Sequence, residues 1–81
     1  MALNDIVSEL QADLDGDTMS RQTVVDGLLD LRLEAMSSPA LVEMIDRILA
    51  DVPGKTMVLT EWWSEQLDLF LLEIDREASP A

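Results

Sequence analysis

Residues 57–75 are the stretch that decides the fold, and they read MVLTEWWSEQLDLFLLEID. Thr56 and Thr60 are both possible N-caps for a helix that begins here and ends at about Asp75. Its apolar side chains occupy nearly the whole circumference of the helix, whereas packing against one neighbour requires only one face. We therefore expect this segment to be the central helix of the fold or to lie in a subunit interface. The apolar set is Val58, Leu59, Trp62, Trp63, Leu67, Leu69, Phe70, Leu71, Leu72 and Ile74.

Three more helices are predicted before this one. Ser38 and Pro39 begin the helix 39–52, because serine is a good N-cap and proline is tolerated at the first helical position. A helix over 19–36 carries apolar residues around more of its surface than one packing face needs. A helix over 4–14 has one apolar face and ends where glycine in Asp15-Gly16-Asp17 can adopt the left-handed conformation.

This pattern predicts an all-α fold, a small bundle of four helices in a single acidic domain spanning 1–81, with a frayed tail at 76–81. The sequence contains no internal repeat and no alternating segment that would support a strand. The excess of apolar surface on the helices 19–36 and 57–75 predicts a homodimer.

Several residues lie at unexpected places on the apolar helices. Arg32 falls among Val25, Leu28, Leu29 and Met36, where its guanidinium needs a carboxylate or carbonyl partner. Gln66 and Glu73 interrupt the last helix and are candidate partners for it. The alternative is that Arg32 lays its methylenes along the core rim and extends to water. Trp62 and Trp63 point about 100° apart and would serve either two packing surfaces or one core. The candidate interface or buried polar residues are Arg32, Trp62, Trp63, Gln66 and Glu73.

The composition combines strong acidity with many apolar residues. Seventeen acidic side chains stand against five basic ones in 81 residues, for a formal net charge of −12, yet 48% of the residues are hydrophobic. Disordered acidic chains lack such apolar content, so we expect a folded domain with an anionic surface. A negative surface repels nucleic-acid phosphate and anionic lipid, which disfavours direct binding to nucleic acid or to membranes.

The residue inventory narrows the chemistry further. There is no cysteine and no histidine, so we expect no disulfide, no ordinary zinc site, no cofactor and no catalytic activity. No apolar run is long enough to span a bilayer. Residues 1–5 have neither the basic start nor the apolar core of a signal peptide, and the lack of cysteine fits a cytoplasmic location.

Two binding motifs were tested against their spacing. Gly54-Lys55-Thr56 resembles the end of a phosphate-binding loop, but Leu49 stands where the first glycine of that loop belongs. Asp13, Asp15 and Asp17 around Gly16 suggest a calcium loop, but counting from Asp13 the sixth residue is Thr18 and the twelfth is Val24 instead of Gly and Glu. We interpret the segment as a solvated turn and expect no metal.

One segment resembles a known family. Residues 38–44, SPALVEM, are similar to the start of the recognition helix of acyl carrier proteins, which are acidic four-helix domains of about this length. The resemblance implies a phosphopantetheine arm on Ser38. Ser37 and Pro39 depart from the Asp and Leu of that family, and we interpret the segment as a serine-proline helix start.

The acidic surface itself is the basis of the functional prediction. Dense negative charge attracts basic proteins and can mimic nucleic acid. We expect a non-enzymatic interaction module that binds a basic protein partner as inhibitor, adaptor or neutraliser. The candidate partner-binding residues are Asp5, Glu9, Asp13, Asp15 and Asp17. The alternatives are a carrier-like domain modified on Ser38 and a structural or assembly subunit whose acidity serves only solubility.

Overall fold

The computed structural model describes residues 3–78, and it confirms a mostly helical protein with four helices. The helices are α1 (Leu3–Ala12), α2 (Arg21–Glu34), α3 (Pro39–Asp51) and α4 (Thr60–Ala78). Both ends of each helix lie within three residues of the predicted bounds. The part of the predicted tail that is described, 76–78, continues α4 as helix, and residues 79–81 lie outside the described range.

Two short strands correct the prediction that the chain has none. They are β1 (Thr18–Ser20) and β2 (Met57–Leu59), and they pair antiparallel with Met19 opposite Val58. Both segments had been assigned to helix starts. At three residues each, they are too short to show the alternation by which a strand is recognised.

The strands reveal a repeated element order that the sequence does not show. Each half of the fold is a helix, a loop, a strand and a second helix, and the two strands join the halves. Each loop contains a glycine in the left-handed region, Gly16 at φ 67° and Gly54 at φ 76°. The ladder is extended by backbone hydrogen bonds from Arg21 N to Thr56 O at 2.8 Å and from Thr60 N to Asp17 O at 2.9 Å.

The helices form a ring around one core. α1 packs against α2 and α4, and α3 packs against the same two helices, so α2 lies diagonally across from α4. Each helix thus has an inward face, two flanks and an outward face. The buried apolar residues are Val7, Val24, Leu28, Leu31, Ala35, Leu41, Ile45, Ile48, Val52, Val58, Trp63, Leu67 and Phe70.

Candidate interaction surfaces

Arg32 is paired with a residue on α3, whereas both partners suggested by the sequence, Gln66 and Glu73, lie on α4. Arg32 Nε donates to Asp46 Oδ1 at 2.9 Å, and the two side chains remain 40% and 51% exposed. Arg32 lies on the flank of α2 that faces α3, whereas Gln66 and Glu73 lie on α4, diagonally across the ring. The partner of Arg32 is thus Asp46, and neither of the two candidate partners contacts it. An ion pair this exposed contributes little to stability.

Glu73 and Gln66 are half-buried instead of enclosed. Glu73 accepts a hydrogen bond from Arg76 Nη1 at 3.3 Å, one turn along the same helix. With Arg47 it also lines a groove of about 370 Å³ between α3 and α4. Among residues 3–78 no polar or charged residue is fully buried.

The two tryptophans have different environments. Trp63 is 1% exposed and lies in the core, where its ring packs so closely against α2 that a Cβ on Gly27 would come within 3.3 Å of Trp63 Cζ2. Trp62 is half-buried and packs against the core from its edge. Trp63 is thus a core residue, and Trp62 alone of the pair presents part of its ring at the surface.

The five predicted partner-binding carboxylates all lie in solvent. Asp5 and Glu9 lie on the outer side of α1, Asp13 comes directly after its last residue, and Asp15 and Asp17 lie in the turn before β1. On the inner side of α1, Val7 is completely buried. The structure therefore groups these five carboxylates along one exposed helix and its turn, which we call the α1 acidic face.

Most of the negative charge is not neutralised by neighbouring cations. Three ion pairs engage Asp46, Glu43 and Glu73, so fourteen of the seventeen carboxylates have no basic partner among residues 3–78. Arg21 and Lys55 have no carboxylate partner within the same range, and both line a groove of about 260 Å³ beside the paired strands. The remaining positive charge is thus concentrated at the strand end of the molecule.

A row of exposed apolar side chains runs along the outer side of α2. Leu29 and Leu33 lie one helical turn apart on α2, and Met36 follows in the turn just after its end. They are 46%, 68% and 63% exposed, and we call them together the α2 stripe. Two exposed carboxylates, Asp26 and Asp30, each lie one turn before a leucine of this stripe. The stripe is therefore bordered by negative charge.

A second exposed row lies on the outside of α4. Its members, Glu65, Leu69, Leu72 and Arg76, follow one another at intervals of four, three and four residues, and we call them the α4 stripe. Leu69 and Leu72 are 49% and 61% exposed. The sequence interpretation missed this row because it treated α4 as apolar all round. The spacing of its two charged members was the signal that could have found it.

The segments tested for ligand chemistry show no assembled site in the described chain. Val24, at the twelfth position of the calcium-loop count, is fully buried and apolar. Within residues 3–78 no three carboxylates are grouped so that they could hold a metal ion. Ser38 is half-buried directly before α3, and its carbonyl oxygen accepts a hydrogen bond from Val42 N at 3.1 Å.

None of the helices within residues 3–78 combines the length and the apolar content that crossing a bilayer demands. No known protein family, curated protein or solved structure matches this chain.

Proposed function

We propose that this protein is a non-enzymatic interaction module that binds a basic protein and thereby inhibits, recruits or neutralises it. The observation that carries the proposal is the set of fourteen carboxylates that have no basic partner among residues 3–78. Uncompensated like charges repel each other and oppose folding, and a cationic partner would relieve that repulsion on binding. The same field would accelerate its encounter with this protein.

The α1 acidic face is the proposed first point of contact. Its five carboxylates are exposed, and the turn that ends the face meets the start of α4 through the Asp17–Thr60 backbone hydrogen bond. Glu61, which is also exposed, therefore adds charge at the same end. Charges of this kind set the association rate, whereas buried apolar anchors set the dissociation rate. The α2 stripe, bordered by Asp26 and Asp30, is suited to hold an apolar anchor of the same partner.

We further propose that the protein acts as a homodimer. The exposed apolar residues form two surfaces on opposite sides of the ring, the α2 stripe and the pair Leu69 and Leu72 on α4. Contiguous exposed apolar residues are a feature of subunit interfaces. Light scattering should give twice the chain mass of 9.0 kDa.

Affinity capture from the native cell, followed by binding kinetics with the captured partner, tests the proposal. We expect a basic protein whose affinity falls between about 0.1 M and about 1 M salt, because added salt shortens the screening length. Neutralising Asp5, Glu9, Asp13, Asp15 and Asp17 to Asn or Gln should slow association about tenfold and leave dissociation nearly unchanged. The helix should survive because its apolar face is untouched.

The matched control makes the same change of charge elsewhere. Glu34, Glu43, Asp51, Asp75 and Glu77 are exposed carboxylates outside the α1 acidic face, and their neutralisation should slow association less. Equal effects of the two variants would contradict the α1 acidic face as the contact. Binding that is insensitive to salt and to both variants would mean that the acidity serves solubility. Transfer of phosphopantetheine onto Ser38, read as an intact-mass increase, would favour the carrier alternative.

A further inference from the structure

The α4 stripe has an acid at one end, a base at the other end and two leucines between them. It runs acid, leucine, leucine, base, at Glu65, Leu69, Leu72 and Arg76. Each position follows a core-facing position of α4 by two residues, which is about 200° around the helix. The stripe therefore lies directly opposite the buried face that contains Leu67 and Phe70.

The whole stripe is accessible to another molecule. The side chain of Arg76 is 79% exposed, Glu65 is exposed, and the two leucines between them are about half exposed. α1 and α3 pack against the flanks of α4 and leave its outer side uncovered within the described chain. The stripe spans three helical turns, a length of about 17 Å.

We propose that a second copy of this chain docks on the α4 stripe with its own α4 antiparallel, about a twofold axis that passes between Leu69 and Leu72. In that arrangement Glu65 faces the partner's Arg76, and Leu69 packs on the partner's Leu72. Twofold symmetry then repeats both contacts. This is the self-complementarity that a twofold interface requires, in which each residue contacts a different residue of the other subunit.

Charge complementarity along the stripe itself, with Glu65 at one end and Arg76 at the other, favours a second copy over the basic partner at these four positions. A basic partner would meet Arg76 with repulsion, whereas a second copy supplies Glu65 to it. The intrahelical pair of Arg76 with Glu73 is long, at 3.3 Å, and exposed. Such pairs contribute little, so Arg76 can exchange Glu73 for the facing Glu65 at small cost.

The α2 stripe is not suited to the same role. Two copies packed through Leu29 and Leu33 would bring Asp26 and Asp30 of both chains together. The α2 stripe itself contains no basic residue, because Arg32 lies on the flank of α2 that faces α3, whereas the α4 stripe includes Arg76. We therefore assign self-association to the α4 stripe and binding of the basic partner to the α1 acidic face and the α2 stripe. This inference rests on the dimer of the proposed function and assigns its interface.

A charge-exchange cycle on the purified full chain tests the proposal. Dissociation constants would be measured by sedimentation equilibrium over a concentration series. Glu65→Arg and Arg76→Glu should each weaken the dimer about tenfold, because each replaces two symmetry-related attractions with two repulsions. The double variant should return to within about threefold of the wild type, since every ion pair is restored with reversed sign. An equimolar mixture of the two single variants should form a heterodimer.

Variants on α3 control for net charge. Glu43→Arg and Arg47→Glu change the total charge by the same amounts at another exposed helical pair, and they should leave the dimer within about threefold of the wild type. All the substituted residues are at the surface, so circular dichroism should show unchanged helix content.

Three results would overturn the inference. They are a monomeric wild type, single variants that dimerise normally, and a double variant as weak as the singles. Capture of the basic partner is a separate measurement, because Glu65 and Arg76 lie outside the α1 acidic face. A dimer that ignores the α4 stripe would leave the proposed partner binding standing. Loss of partner capture with an intact charge-exchange cycle would remove the proposed function and leave the dimer.

Discussion

Gly16 and Gly54 occupy equivalent places in the two loops, but their surroundings differ. Both have positive φ, at 67° and 76°. A Cβ on Gly16 would have only the Thr18 carbonyl oxygen near it, at 4.0 Å, whereas a Cβ on Gly54 would overlap the Met57 carbonyl oxygen. Two costs therefore apply at Gly54, the left-handed conformation and a collision with backbone that cannot rotate away. At Gly16 only the first applies.

Alanine at the two positions should separate these costs. We expect Gly16→Ala to lower the free energy of unfolding by about 1 kcal/mol, the ordinary penalty for a left-handed residue. Gly54→Ala should lower it by at least about 2 to 3 kcal/mol, because the loop before β2 must also move. Urea unfolding followed by circular dichroism measures both. Equal losses would show that the Gly54 loop adjusts without cost.

For Arg32, the sequence predicts the need for a polar partner but not which residue that partner is. The helical period places Arg32 within the apolar face of α2 and predicts a carboxylate or carbonyl partner, whereas the structure places it on the flank of that face. The identity of the carboxylate depends on which helix is adjacent, and the sequence does not give the order of helices around the ring. Asp46 was overlooked for that reason, although it lies beside Val42 and Leu49 on the flank of α3.

At the scale of elements, helix existence was predictable and the sheet was not. The helical bounds came from caps and apolar spacing. Gly16 does adopt the left-handed conformation, but α1 already ends at Ala12, so this glycine shapes the loop before β1 and does not close the helix. The strands owe their existence to pairing between residues about forty positions apart, Met19 with Val58. No local pattern encodes such a pairing. Thr18 to Ser20 and Met57 to Leu59 each precede a helix, so propensity alone extends that helix backwards.

The two tryptophans of α4 provide a test of how this helix is built. Trp63→Ala should lower the free energy of unfolding by about 3 to 5 kcal/mol, since it removes a large side chain that is 1% exposed. Trp62→Ala should cost less than half as much, because that ring is half-buried at the edge of the core. Urea denaturation of the two variants supplies the comparison. A larger loss at Trp62 would place α4 in a different rotation about its axis.

At the scale of the whole molecule, the core and the surface oppose each other. Thirteen buried apolar residues hold the ring together, while the net charge of −12 drives the chain to expand. The charge imbalance was readable from composition. The composition does not show which carboxylates lack partners. Of the three ion pairs among residues 3–78, one joins α2 to α3 and therefore depends on the assembled fold.

Salt should therefore affect folding and partner binding in opposite directions. Raising the salt from about 0.1 M to about 1 M shortens the screening length from about 10 Å to about 3 Å. Repulsion among the fourteen carboxylates without a basic partner in the described part of the chain then falls, while the three arginine ion pairs found there contribute little and lose little. We expect the midpoint of urea unfolding to rise with salt, with an unchanged slope. Urea is required because guanidinium chloride is itself a salt.

Neutralising the five carboxylates of the α1 acidic face should reproduce part of that stabilisation at low salt and reduce the further gain from added salt. Substitution of buried residues should leave the salt response intact. A midpoint that falls with salt would mean that attractive pairs outweigh repulsion across the surface. The excess negative charge would then not be available to a basic partner, and the basis for the proposed electrostatic binding would be lost.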